Sequence, residues 1–363
     1  MSRRPEEVLG RPAVAPRDVV AIGASAGGLR ALRTLVSQLP ADFPAAVLVV
    51  LHIGTQPSIL PSLLGAWGNL PAEHAEDGGP LLAGRLHVAP PDHHLILVGD
   101  SIRLLRGPKE HHTRPAIDPL FRSAAVCCGP RVVGIVLSGH LDDGTAGLQA
   151  IKACGGVAVV QDPRDAQVPS MPMSALRHVD VDHCVPVAGM AQLLTSLVAQ
   201  PVSSQQAAAP TALASEHALS VSEPGEEVMK HLQAFADPST HACPDCGGVL
   251  WEVKAAKPTR FRCHTGHAYT LRTLAESMKE STDHALQIAV RALQEHAILL
   301  RRAAAASRAA DAVAEAAAID ADAERLEAHV RVLTRVSEDA AVKSLEAPSV
   351  PREEATPEGK PSE

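Results

Sequence analysis

From residue 18 to residue 200 the chain repeats one pattern: an almost unbroken Val/Ile/Leu run, then a segment of helical periodicity. DVVAIGA precedes LRALRTLVSQL, AAVLVVLH precedes SILPSLLGAW, and RVVGIVLSG precedes AGLQAIKAC, after which GGVAVVQD follows. A strand that alternates apolar and polar residues buries one face, whereas a run that is apolar throughout must be covered on both. Helices returning across both faces of a parallel sheet supply that cover, so the pattern predicts a doubly wound, mainly parallel α/β domain over residues 18–200. Within it, GRLHVAP reads as a further strand and HLILVGDSIRLL as a hairpin turning at Gly99-Asp100.

In such sheets functional side chains collect at the carboxyl ends of the strands. Ser25 follows VVAIGA in a glycine-rich turn, His52 closes AAVLVVLH, and the Asp142-Asp143 pair follows RVVGIVLSGHL. A glycine-rich turn between strand and helix either cradles phosphate or presents a nucleophile. Dinucleotide binding wants an acid at the end of the second strand, where this chain has His52, and no Lys-Ser/Thr pair follows the glycines as in a nucleotide P-loop. Serine, imidazole and carboxylate at three strand ends instead make up an acyl-transfer set. Ser25 would be the nucleophile, His52 the base and one of the two aspartates the orienting acid. The glycines at 23, 27 and 28 would expose Ser25 and turn backbone N–H groups toward an oxyanion.

The 363-residue chain has a formal charge of −8 and 2% aromatic residues, which argues against nucleic-acid binding. No run is long and apolar enough for a membrane span, and residues 1–17 lack the apolar segment of a signal peptide, so a cytoplasmic protein without membrane insertion is expected. Seven cysteines are an odd count for a disulfide framework. Cys127, Cys128, Cys154 and Cys184 lie in apolar or small-residue runs and read as buried packing.

The other three cysteines lie in CPDCGGVLWEVKAAKPTRFRCHTGH, residues 243–267. Cys243 and Cys246 form a CxxC pair, sixteen residues intervene, and Cys263 and His267 form a second pair. Two close pairs of soft ligands across a short hairpin are the spacing of a tetrahedral structural zinc site. His264 competes as fourth ligand, but as the immediate neighbour of Cys263 it fits one ion less well than His267. The unit is only mildly basic, and a protein-docking or folding-anchor role is expected of it. Around it the chain divides into a flexible N-terminus (1–17), the α/β domain (18–200), an Ala/Ser/Pro/Gln-rich linker (201–238), the zinc-ribbon-like unit (239–272), a helical region (273–345) and a disordered tail (346–363). In the helical region, Leu286, Val290, Leu293, Ala297 and Leu300, then Ile319, Ala323, Leu326, Val330 and Leu333, repeat at spacings of three and four. These seams predict either a hairpin turning near residues 307–311 or one long helix.

Residues 18–198 resemble the catalytic domain of the chemotaxis protein-glutamate methylesterases (CheB type), through VVAIGASAGGLRAL, VVLH, LHVAPPDHHL, RPAIDPLFRSAA and IVLSGHLDDGTAGLQAIKACGG. The resemblance implies a Rossmann-like fold and a Ser-His-Asp hydrolase. Its substrates would be glutamate γ-methyl esters on receptor signalling helices, and glutamine deamidation would be a further activity. Chemosensory kinases or methyltransferases are further candidate partners. Ser25 matches the nucleophile, His52 the base and Asp143 the acid, since the family aspartate directly precedes the glycine that is Gly144 here; Asp142 is the second choice. FRCHTGHAYT resembles zinc-ribbon extensions of methylesterase-like proteins. Ala26 replaces a usual threonine and His140 a common methionine, while His94 and Arg114 match recurrent positions read here as holding loops. Typical members carry a receiver domain, for which the 17 residues before the first strand are too few, so constitutive activity or gating by a partner or the C-terminal half is expected. The competing reading is a non-catalytic scaffold that docks receptors or kinases.

Overall fold

The computed structural model describes residues 14–203, 209–221 and 226–345. The chain divides between Ser277 and Met278 into two compact units. In the first, β1 (Val14–Pro16) leads to β2 (Val19–Ala24), α1 (Gly28–Val36), β3 (Ala46–Leu51), α2 (Leu60–Trp67), β4 (Ala72–His74) and β5 (Leu86–Val88). A hairpin of β6 (His94–Val98) and β7 (Ser101–Leu105) comes next, then α3 (Ile117–Cys128) and β8 (Val132–Val136). The α/β layer closes with α4 (Thr145–Ala153), β9 (Val157–Gln161), α5 (Ser170–His178), β10 (His183–Val185) and α6 (Val187–Val198), and β11 (Pro201–Ser203) pairs antiparallel with β1.

Seven strands form one parallel sheet in the order β10-β9-β8-β2-β3-β5-β4. Alternate residues of the apolar runs serve opposite faces, as the period of two in a strand requires. Val20, Ile22, Val47 and Val49 meet Leu32 and Leu35 of α1 and Leu194 of α6 on one side. Val19, Ala21, Leu48 and Val50 meet Leu120 and Phe121 of α3 and Leu148 and Ile151 of α4 on the other. The order runs outward from β2 first to β4 and then to β10, so the winding reverses between β2 and β8. A crevice opens at such a reversal, at the carboxyl ends of the strands.

Residues 201–238 are not the structureless linker their composition suggests. They contain β11, α7 (Thr211–Val221), α8 (Glu226–Phe235) and the start of β12 (Ala236–Ala242). Leu219, Val228, Leu232 and Phe235 form a small core with Val253. The four-stranded antiparallel ribbon of β12, β13 (Val249–Val253), β14 (Arg260–Cys263) and β15 (Ala268–Thr270) therefore begins at Ala236 rather than at 239. Similarly, β1 occupies part of the N-terminal stretch expected to be flexible. Residues 1–13 and the expected disordered tail, 346–363, lie outside the described residues.

A buried charge cluster joins these pieces within the first unit. Arg122 of α3 donates to Glu110 at 2.7 Å, Arg260 donates to Glu216 of α7 at 2.8 Å, and Arg262 of β14 also donates to Glu110. Buried charges are tolerated when each is paired, and losing one partner typically costs about 3–5 kcal/mol. Both carboxyls are held well below the usual range, because the surrounding guanidinium groups outweigh the opposing effect of burial.

The second unit contains most of α9 (Leu271–Ala309) and α10 (Val313–Leu345), which form a hairpin. Ala297, Ala304, Ala316 and Ala323 are buried, and Arg301 of α9 binds Asp320 at 2.9 Å and Glu327 at 3.2 Å on α10. The turn contains no glycine. Asp311 takes the left-handed conformation at φ 59°, and the Ala312 N–H returns to the Ser307 carbonyl at 2.9 Å, a helix-ending arrangement that Asp tolerates better than most residues. Among the described residues no helix is long and apolar enough to cross a membrane.

Candidate active site and metal centre

Ser25 leaves the end of β2 and is tied across the reversal point, its N–H donating to the Ser138 carbonyl beyond β8 at 2.9 Å. The turn into α1 needs Gly27. This residue sits at φ 76°, and a Cβ there would lie 2.6 Å from Ser138 Oγ and 2.7 Å from Gln167 Cβ. His52 follows β3, and Asp143 follows β8 and immediately precedes the N-cap of α4, Gly144. Ser25 Oγ lies 3.1 Å from His52 Nδ1, and His52 Nε2 lies 2.9 Å from Asp143 Oδ2. The sheet thus brings together residues 91 positions apart in one hydrogen-bonded line.

With Asp143 ionised, His52 donates from Nε2 and presents the Nδ1 lone pair to the serine hydroxyl. Asp143 is buried and fully engaged. Its Oδ2 accepts from the Ile117 N–H at 2.7 Å, and its Oδ1 accepts from Asp118 N–H at 3.0 Å and Gly144 N–H at 2.8 Å. Two of those donors open α3, where the helix dipole favours negative charge. Burial pushes the Asp143 carboxyl up, but facing His111, His52 and the Ile117 N–H outweigh it and hold the group well below the usual carboxylate range. A serine, an imidazole held in one tautomer and a permanent carboxylate in this order can carry out acyl transfer.

The CheB methylesterase family model matches residues 20–194. A relative from Leptospira interrogans is 34% identical over 186 residues that cover 50% of this chain and 94% of the relative. The chain belongs to the CheB methylesterase family. The protein-glutamate methylesterase/protein-glutamine glutaminase 2 of Anaeromyxobacter dehalogenans is 40% identical over 188 residues, covering 51% of this chain and 55% of that protein. The catalytic domain of Thermotoga maritima CheB methylesterase, solved by crystallography, is 31% identical, covering 50% of this chain and 98% of that one with a TM-score of 0.49. The chain spans about half the length of the longer curated relatives it matches.

In this CheB family member His52 pairs with Asp143, and the other candidate acid, Asp142, is bonded elsewhere. Its Oδ1 accepts the Thr270 hydroxyl at 3.0 Å, and burial pushes its carboxyl up. His94 is buried and bridges the Pro108 carbonyl at 2.9 Å and the Ala116 N–H at 3.2 Å, while Arg114 holds Asp92 at 2.6 Å, so both secure the loop before α3. His140 is exposed.

Sequence reasoning passed over His111. It is buried, with Nε2 at 2.8 Å from Asp118 Oδ2 and 3.7 Å from Asp143 Oδ1, and Nδ1 at 4.0 Å from Asp142 Oδ1. Burial pushes its pKa down, but Asp143, Asp118 and Asp142 together push it up to about 10, so it is an imidazolium at neutral pH. HHTRPAID gave a signal in its paired histidines, but nothing local to that stretch indicates three facing carboxylates.

The ribbon gathers the second set of candidates. The ligand atoms of Cys243, Cys246, Cys263 and His267 all lie within 4.8 Å of one another. Cys246 Sγ is 3.7 Å from Cys263 Sγ, and Cys263 Sγ is 3.5 Å from His267 Nδ1. A tetrahedral zinc ion held at about 2.3 Å by sulfur and about 2.0 Å by nitrogen sets its ligands roughly 3.5–3.8 Å apart, so the donor set and spacing fit a metal. Two tight turns shape it: Gly247 at φ 72° donates its N–H to the Cys243 carbonyl at 2.8 Å, and Cys263 donates to the His267 carbonyl at 3.0 Å. His264 is exposed and outside the cluster.

Proposed function

We propose that this chain hydrolyses glutamate γ-methyl esters on chemotaxis-type receptors, with Ser25 as nucleophile, His52 as general base and acid, and Asp143 as the orienting carboxylate. The unbroken line from Ser25 through His52 to Asp143, at the reversal point of a CheB-family sheet, carries this reading. Ser25 attacks the ester carbonyl as its proton passes to His52 Nδ1. The tetrahedral oxyanion is held by backbone N–H groups in the turn that directly follows Ser25, ahead of α1. Collapse expels methoxide, which takes the proton from Nδ1 and leaves as methanol. Water then gives a proton to Nδ1 and attacks the acyl-enzyme, regenerating Ser25 and releasing the glutamate carboxylate. A glutamine side chain would follow the same course with ammonia as the leaving group, and relatives are named for both activities.

Membranes carrying methylated receptors test this. Methanol release by the wild type and none by Ser25→Ala is expected; equal release by the two sinks the esterase and leaves the scaffold reading.

For the ribbon, zinc held by Cys243, Cys246, Cys263 and His267 is proposed as a structural ion. When bound it would cross-link the two turns, a stabilisation that so small a sheet otherwise lacks.

A further inference from the structure

We infer that the end of the ribbon is part of the esterase site, with Thr270 and Arg272 positioning the loop that carries Asp143. This rests on the esterase reading above. The loop from Ser138 to Asp143 turns through Leu141 at φ 62°, a left-handed conformation that a bulky residue adopts only when its surroundings impose it. Three contacts impose it here. The Ser170 hydroxyl donates to the Leu141 carbonyl at 3.0 Å, and Arg272 Nη1 donates to Ser170 Oγ at 3.0 Å. Thr270 donates its hydroxyl hydrogen to Asp142 Oδ1 at 3.0 Å.

A carboxylate oxygen accepts, so Thr270 is the donor in that last bond. Thr270 Oγ1 in turn accepts the Thr273 N–H at 3.1 Å, and Thr273 Oγ1 accepts the Thr270 N–H at 2.8 Å, a reciprocal cap that fixes Thr270 at the start of α9. Two residues earlier, the same strand grips the opposite side of the acid: the His111 N–H donates to the Ala268 carbonyl at 2.9 Å, while its ring faces Asp143. The segment 268–272 therefore holds Leu141, Asp142 and His111, the neighbours of Asp143 on both sides. Displacing a catalytic group by about 1 Å lowers turnover up to roughly 100-fold, with no need for a change in substrate affinity.

Arg272 is exposed, so Arg272→Ala leaves the fold intact; Thr270→Val removes the bond to Asp142 and the cap together, while Thr270→Ser keeps both. The full chain is assayed for methanol release from membranes carrying methylated receptors. In Arg272→Ala and Thr270→Val, kcat is expected to fall about tenfold or more at nearly unchanged KM, with Thr270→Ser close to wild type. If wild-type release depends on Ser25 but Arg272→Ala and Thr270→Val keep their kcat, the positioning inference fails and the esterase reading stands. If Thr270→Ser loses as much as Thr270→Val, or the losses only follow the unfolded fraction by circular dichroism, the inference also fails. Release independent of Ser25 overturns the esterase reading itself.

Discussion

His111 Nε2 lies 3.7 Å from Asp143 Oδ1, with both side chains buried. The contact places a positive charge behind the acid of the Ser25–His52–Asp143 line. Because the pKa of His111 is pushed up to about 10, above the ordinary 6.5, its contribution to stability is complete below about pH 6.5 and is lost as pH rises through about 10. Urea unfolding across that range should show a falling midpoint in the wild type. His111→Gln strands Asp118, Asp142 and Asp143 without their counter-charge and should destabilise by about 3–5 kcal/mol at neutral pH, with the alkaline decline flattened. A variant retaining the wild-type slope would show that another group titrates.

The two neighbouring aspartates have different partners, and their amides should separate accordingly. Asp143→Asn keeps the volume but breaks the tautomer lock on His52, and kcat should fall on the order of 10⁴-fold. Asp142→Asn still offers Thr270 an acceptor, so less than about a tenfold loss is expected, a single hydrogen bond being worth about 1 kcal/mol. Steady-state kinetics of both amides on one substrate check the assignment.

The ring of His52 offers a spectroscopic test. With Nε2 on Asp143 and Nδ1 on Ser25, the neutral form should carry its proton on Nε2. Nitrogen-15 spectra of histidine-labelled protein should show a protonated Nε2 and an unprotonated Nδ1 in the resting site, and Asp143→Asn should disturb that pattern. The opposite tautomer in the wild type would contradict the direction of proton transfer described above.

Metal analysis of the purified chain should give one zinc per molecule, with Cys243→Ser losing it. Chelation should lower the unfolding temperature of the wild type, because the ion is bound only by the folded ribbon. A chain that purifies without metal and unfolds at the same temperature with and without chelator removes the zinc assignment.

The central strands were legible because their burial on both faces leaves no alternation to misread, as in AVLVVL of β3. The positions of Ser25, His52 and the Asp142-Asp143 pair followed from that, since a strand end is a place that can be read in one dimension; the choice of Asp143 within the pair came from the family resemblance. α7 and α8 were not legible. Their stretch is dominated by small and polar residues, and their placement depends on a few anchors, Leu219, Leu232 and Phe235, together with the ion pair of Glu216 with Arg260. Nor does any local signal mark Thr270 as a partner of Asp142, because 128 positions separate them and each reads equally well as a surface residue. The helical spacing placed a turn near residues 307–311 but left it open beside one long helix, because a left-handed helix ending is usually announced by glycine, and here an aspartate adopts it.

Glu110 gives the ribbon an address. Arg262, only 1% exposed, would lose its short carboxylate contact on any host lacking Glu110 and keep only the 3.7 Å one to Glu216, the carboxylate that Arg260 also binds. The family match ends at residue 194, but charge balance continues past it, so the two halves of this chain are not interchangeable parts. Transplanting the ribbon onto another methylesterase domain would succeed only if Glu110 and α7 travelled with it.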